Sequence, residues 1–194
     1  MTSGEFRKRQ LVTSIYLPSL LITAAEGALL PILPVSAVGF GFSLAEASIV
    51  TTVLMVSTMV FEVPASWLSS KIGERQAMIT SAVLGFAMTM LAFFHLGYPA
   101  LVLSALGFGA AHSLFGLARH SLLAEIVPEQ HRPKSMSLLG GMFRGGMAIG
   151  PVLGSAFIVL YGVEFGYLAA AILCLASGAS VMIAPKGRLN TTPS

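Results

Sequence analysis

Four ionisable side chains, Glu26, Glu62, His112 and Arg144, lie inside long apolar runs of this sequence. A charged group at the centre of a bilayer costs at least ~2.5–3.5 kcal/mol on insertion scales, so each requires a reason. A buried carboxylate such as Glu26 binds either a proton or a cation, and competition between the two for one carboxylate is sufficient for coupled exchange. At 1.5 Å per residue, Glu26 lies ~22 Å into its helix, Arg144 ~13 Å into its own, and Glu62 ~10 Å from the nearer end of a third. Depth favours a pairing of Glu62 with Arg144, whereas a long arginine side chain can also climb toward Glu26. The bland alternatives are a static ion pair or a protonated Glu bonded to backbone. A lone His such as His112 is more often bonded to a nearby carbonyl than part of a site.

The elements that carry these residues are apolar stretches long enough to cross a bilayer core about 30 Å thick. Six qualify, near 11–33, 44–69, 77–95, 100–122, 135–161 and 165–184. With hydrophobic residues at 55% and charged residues at 10%, the expected fold is an all-α polytopic membrane protein. No ten-residue alternating pattern suggests a barrel. Ten of the eleven Lys and Arg residues fall on one side of the six-span pattern: Arg7–Arg9, Lys71, Arg75, Arg119, Arg132, Lys134, Lys186 and Arg188. The positive-inside rule then predicts both termini in the cytoplasm, with Arg119 solvated at the cytoplasmic end of the fourth span. The net charge of +3 is a topology signal, and no nucleic-acid patch is expected. Arg7–Arg9 before an apolar run has the look of a signal peptide, but the run continues past Glu26 to full spanning length.

Organisation is simple. No soluble domain or low-complexity tract is present, and the longest link, 124–134, divides the spans into two triplets, as a three-plus-three repeat would. Ser43-Leu-Ala-Glu46 has capping-box spacing and is expected to start the second span. Cys174 lies alone within the sixth span, where packing is its expected role. Trp67 is expected to anchor at the interface.

The segment Phe61-Glu62-Val-Pro64-Ala-Ser-Trp-Leu68-Ser-Ser-Lys71-Ile-Gly73-Glu-Arg75 resembles the loop signature of the major facilitator superfamily. Ser66 stands where that signature has Gly, Ser70 where it has Asp, and Glu74 where it has a basic residue. Gly146-Met-Ala-Ile-Gly150-Pro151-Val-Leu-Gly154-Ser155 resembles the superfamily's antiporter motif, with Ser155 in place of the last Gly. Three glycines on one helix face let a neighbouring backbone approach, and Pro151 bends the helix by removing an amide. Leu103-Ser-Ala-Leu-Gly107-Phe-Gly109-Ala is similar to a third family segment, with Leu103 at the position of an Arg linked to proton coupling.

The resemblance implies half of a major facilitator fold, with a C-terminal six-helix half missing. It implies alternating-access transport of a small organic solute by an exporter or antiporter, with H+ as a candidate coupling ion, in the inner or plasma membrane. The default solute for this motif set is amphiphilic or cationic. Glu26, His112 and Arg144 are then candidates for substrate or proton binding, with the fifth span beside the first. Glu62, Pro64, Lys71, Gly73, Arg75, Gly146, Gly150, Pro151 and Gly154 are candidates for the structural and gating machinery. The partners implied are the lipid bilayer and a second six-helix half or a parallel homodimer. The alternative is a truncated or non-transporting subunit with a role in assembly. No cofactor or metal is expected, since paired His/Cys spacing and phosphate loops are lacking. No Gly-x-Ser-Gly nucleophile segment occurs, so an enzyme is not expected.

Overall fold

The computed structural model describes residues 11–184, so Arg7–Arg9, Lys186 and Arg188 lie outside the described residues. A π-helical turn, Val12–Tyr16, leads into α1 (Leu17–Gly39). Next come α2 (Leu44–Val60), α3 (Glu62–Ile72), α4 (Glu74–Phe93) and α5 (Tyr98–Ile126). A 3-10 turn, Glu129–His131, precedes α6 (Arg132–Tyr161) and α7 (Val163–Ile183). No strand occurs among the described residues. Among the described residues five helices are long and apolar enough to cross a membrane, and α2 and α3 taken together pass the same test as one bent span.

Proline explains two departures from the expected spans. The first was expected to end at Leu33, ahead of Pro34, yet α1 runs through both Pro31 and Pro34 to Gly39. Neighbouring helices and local adjustments re-satisfy the backbone groups a proline frees within a bundle. The second span breaks at Phe61, where α2 and α3 meet at a 52° bend. Pro64, in the first turn of α3, has no amide to offer the Val60 carbonyl, so the hydrogen-bond ladder is interrupted there.

Local signals close the other ends. Ser43 and Glu46 form the capping box at the start of α2: the Glu46 amide donates to Ser43 Oγ at 3.3 Å and the Ser43 amide to Glu46 Oε2 at 2.9 Å. Gly73 alone separates α3 from α4, with φ 83° and ψ 151°, a region essentially restricted to glycine. Gly73→Ala is expected to destabilise the protein by about 1–3 kcal/mol through backbone strain alone. Thermal unfolding in detergent checks this, and an unchanged midpoint would remove the strain argument.

The helices pack in a pattern that maps onto itself when the two triplets of spans are exchanged. α1 lies on α6 as α5 lies on α2, α1 on α7 as α5 on α4, and α4 meets α7. The exchange fails at two places: α1 packs on α2 but α5 and α6 hardly touch, and α6 packs on α7 but α2 and α4 hardly touch. The core is built from Ile22, Leu29, Ile32, Leu54, Met78, Phe108, Phe115 and Tyr167. Hydroxyls stitch the helices where the apolar surroundings supply no hydrophobic drive to associate. Tyr167 Oη donates to Ser36 Oγ at 2.7 Å, Ser57 Oγ to the Leu106 carbonyl at 2.5 Å, and Ser177 Oγ to the Pro18 carbonyl at 3.0 Å.

Candidate functional site: a buried charged cluster on α1 and α5

The position of Glu26 follows from what the rest of α1 must do. Gly146, Gly150 and Gly154 present a bare face of α6 to α1. A Cβ at Gly146 would meet the Leu20 carbonyl oxygen at 2.7 Å and the Ala24 amide at 2.9 Å. One at Gly150 would meet the Ala24 carbonyl oxygen, and the Ala28 amide at 2.8 Å. Pro151 fits against Gly27, where an added Cβ would lie 3.1 Å from the proline Cδ. Ala24 and Ala28 thus face α6. At ~100° per residue, Glu26 points about 200° away from Ala24, to the opposite side of α1.

There it meets α5. Glu26 is 5% exposed, and its Oε2 lies 3.5 Å from Nε2 of His112, itself 7% exposed. Seven residues further along α5, on the same helix face, Arg119 is 6% exposed. Its guanidinium carbon lies 5.9 Å from the Phe143 ring centroid on α6. Glu26 is the one buried carboxylate and Arg119 the one buried guanidinium among the described residues. Glu26 Oε2, His112 Nδ1, and Nε and Nη1 of Arg119 are buried without hydrogen-bond partners among the described residues. Buried polar atoms are normally bonded, so such a concentration makes this cluster the candidate site.

Arg119 is the residue that sequence reasoning misplaced. The fourth span was expected to stop at residue 122, with Arg119 solvated at its end. Instead α5 continues to Ile126, and Arg119 lies ~10 Å inside the helix end at 1.5 Å per residue. The available signal was the i, i+7 spacing from His112, which puts both on one face.

Arg144 behaves in the opposite way. It is exposed and pairs with neither Glu26 nor Glu62 among the described residues. It lies two residues before Gly146, about 200° round α6, so the glycine face that seats on α1 turns Arg144 outward. Glu62 is exposed in the first turn of α3, where a carboxylate complements the helix dipole. Lys71 places its Nζ 3.7 Å from the ring centroid of Trp67, which is exposed as an interface anchor would be. Arg75 donates from one guanidinium nitrogen to the Met182 and Ala184 carbonyls at 3.0 and 2.8 Å, satisfying the open end of α7.

A glycine-keyed α1–α6 seam, a broken second span and two exchangeable triplets of spans make a distinctive architecture. The sequence profile of the Major Facilitator Superfamily matches residues 15–192. The chain belongs to that superfamily. As a major facilitator protein it is an integral membrane protein of a transporter family, with the six-span organisation of one half of the fold. Transporters of this superfamily bind small-molecule substrates and sit in lipid bilayers.

Proposed function

We propose that this protein moves a small organic solute across the inner or plasma membrane by alternating access, as an exporter or antiporter. It works with a second six-helix half or a parallel copy of itself, and both termini face the cytoplasm. The exchanged species is a proton or a second solute using the same site. The observation that carries this reading is the Glu26–His112–Arg119 cluster, held on α1 directly behind the Gly146–Gly150–Pro151–Gly154 seam. α6 bears on the backbone of α1 at Ala24, Gly27 and Ala28, so a tilt of α6 carries Glu26 with it. The basic end, bearing Lys71, Arg75, Arg132 and Lys134, is the cytoplasmic one by its charge.

The test is transport by proteoliposomes containing the full chain, alone and with a co-reconstituted second half, under a pH gradient of either sign. Glu26→Gln is expected to reduce pH-driven solute movement at least tenfold with protein level and folding intact. Undiminished pH-driven transport in that variant dismisses the role of Glu26. Failure of every solute tested, neutral, cationic and anionic, to move dismisses the transport reading.

A further inference from the structure

We infer that the solute is a singly charged organic anion, a carboxylate above all, and that Arg119 is the residue that binds it. The inference rests on the transport reading but concerns a property of the site that the reading leaves open.

Three observations converge on an anion. Arg119 is more than nine-tenths buried, makes no ion pair within 4 Å among the described residues, and keeps Nε and Nη1 free of hydrogen bonds there. Guanidinium N–H groups are strong donors to carboxylate oxygens, and Nε and Nη1, on different edges of the group, both lack an acceptor among the described residues. There is also room. Gly116 lies between His112 and Arg119 on the same face of α5, and a Cβ built there meets nothing within 4 Å. Beyond it α5 and α6 make few contacts, and Phe143 is the α6 side chain that approaches Arg119. A second guanidinium, Arg144, follows Phe143 on α6 and is exposed and unpaired among the described residues.

Charge balance couples the anion to a proton. An anion on Arg119 adds negative charge to a buried site that also holds the Glu26 carboxyl, and a proton on that carboxyl offsets it, so binding of the anion favours binding of a proton. A cation would add to Arg119 in a buried site, which is strongly unfavourable. The groups bearing on Glu26 are His112 and Arg119 of α5. α6 brings Arg144 on its exposed side, α7 brings Tyr167, whose hydroxyl is bonded to Ser36 further along α1, and the acid of α2, Glu46, is closed in its capping box.

The experiment uses the full chain in lipid nanodiscs and three probes that share one ring: benzoate, benzamide and benzylamine. The readout is the shift in thermal unfolding temperature with probe concentration at pH 5.5 and 7.5. Benzoate is expected to stabilise saturably and more tightly at the lower pH, and the other two to have no saturable effect. Arg119→Gln should weaken benzoate at least tenfold, whereas Glu26→Gln, fixed in the protonated form, should keep benzoate binding and lose its pH dependence. Benzoate binding unchanged in Arg119→Gln overturns the inference, as does saturable binding of benzylamine that requires Glu26, or no benzoate effect at all. Benzoate binding without solute movement in proteoliposomes would refute transport and leave the anion site standing. Transport confined to cations would do the reverse.

Discussion

Gly150→Ala is expected to lower the stability of the bundle by about 3 kcal/mol, the upper end of what overpacking by one carbon usually costs. The added carbon would press on the Ala24 carbonyl oxygen, the Ala28 amide and the Gly27 carbonyl carbon, all backbone atoms of α1 that no side-chain rotation can withdraw. Relief requires α1 and α6 to separate, which also unseats Pro151 from Gly27 and draws Glu26 away from α5. The glycines form a graded series. At Gly146 one obstacle is the rotatable Thr23 hydroxyl, and at Gly154 the nearest atoms of Ala28 are 3.2 Å away, so the expected loss falls from 150 to 146 to 154. Gly141, with open space around its Cβ position, is the control, and alanine there is expected to be neutral or stabilising by up to about 1 kcal/mol through helix propensity. Unfolding in detergent measures the series. Equal effects at 141 and 150 would mean that propensity, not the seam, governs these positions.

The second large effect concerns the cluster itself. Arg119→Met is expected to destabilise the protein by about 1–3 kcal/mol, because it removes the one buried cation among the described residues, whose charge bears on Glu26 from more than 4 Å away. Adding Glu26→Gln in the same chain removes the carboxylate charge left behind, so the double variant is expected to be more stable than Arg119→Met alone, by an interaction term of about 1–3 kcal/mol. The double variant should remain inactive in pH-driven transport despite its recovered stability. Additive losses in the cycle would show that the two residues do not feel one another, and the cluster would lose its meaning as a unit.

Much of the architecture is legible in the sequence because apolar length and basic asymmetry speak directly to the bilayer. The capping box at Ser43 and the glycine stripe in α6 are local patterns, and both appear with the contacts their spacing implies. What hydropathy does not supply is the end of a helix. It stops at Pro34 although the bundle carries α1 onward, and it places Arg119 at a boundary because a charge ends an apolar run whether or not the helix ends. Depth misleads for a related reason. It pairs Arg144 with Glu62, but depth says nothing about rotation, and the rotation of α6 is fixed by Gly146, Gly150 and Gly154 seating on α1. The partner of Glu26 had to be sought by helix face, where His112 and Arg119 stand two turns apart.

The contact of Arg75 with the Met182 and Ala184 carbonyls bears on the order in which the protein is made. Its acceptors lie 107 and 109 residues later in the chain. At ~5–20 residues per second of synthesis, about 5–20 s separate the guanidinium from its partners. Until the sixth span has been inserted, the start of α4 has nothing to close against. The bond between the ends of α4 and α7 is therefore among the last to form, and its closure signals that all six spans have been threaded in the correct sense.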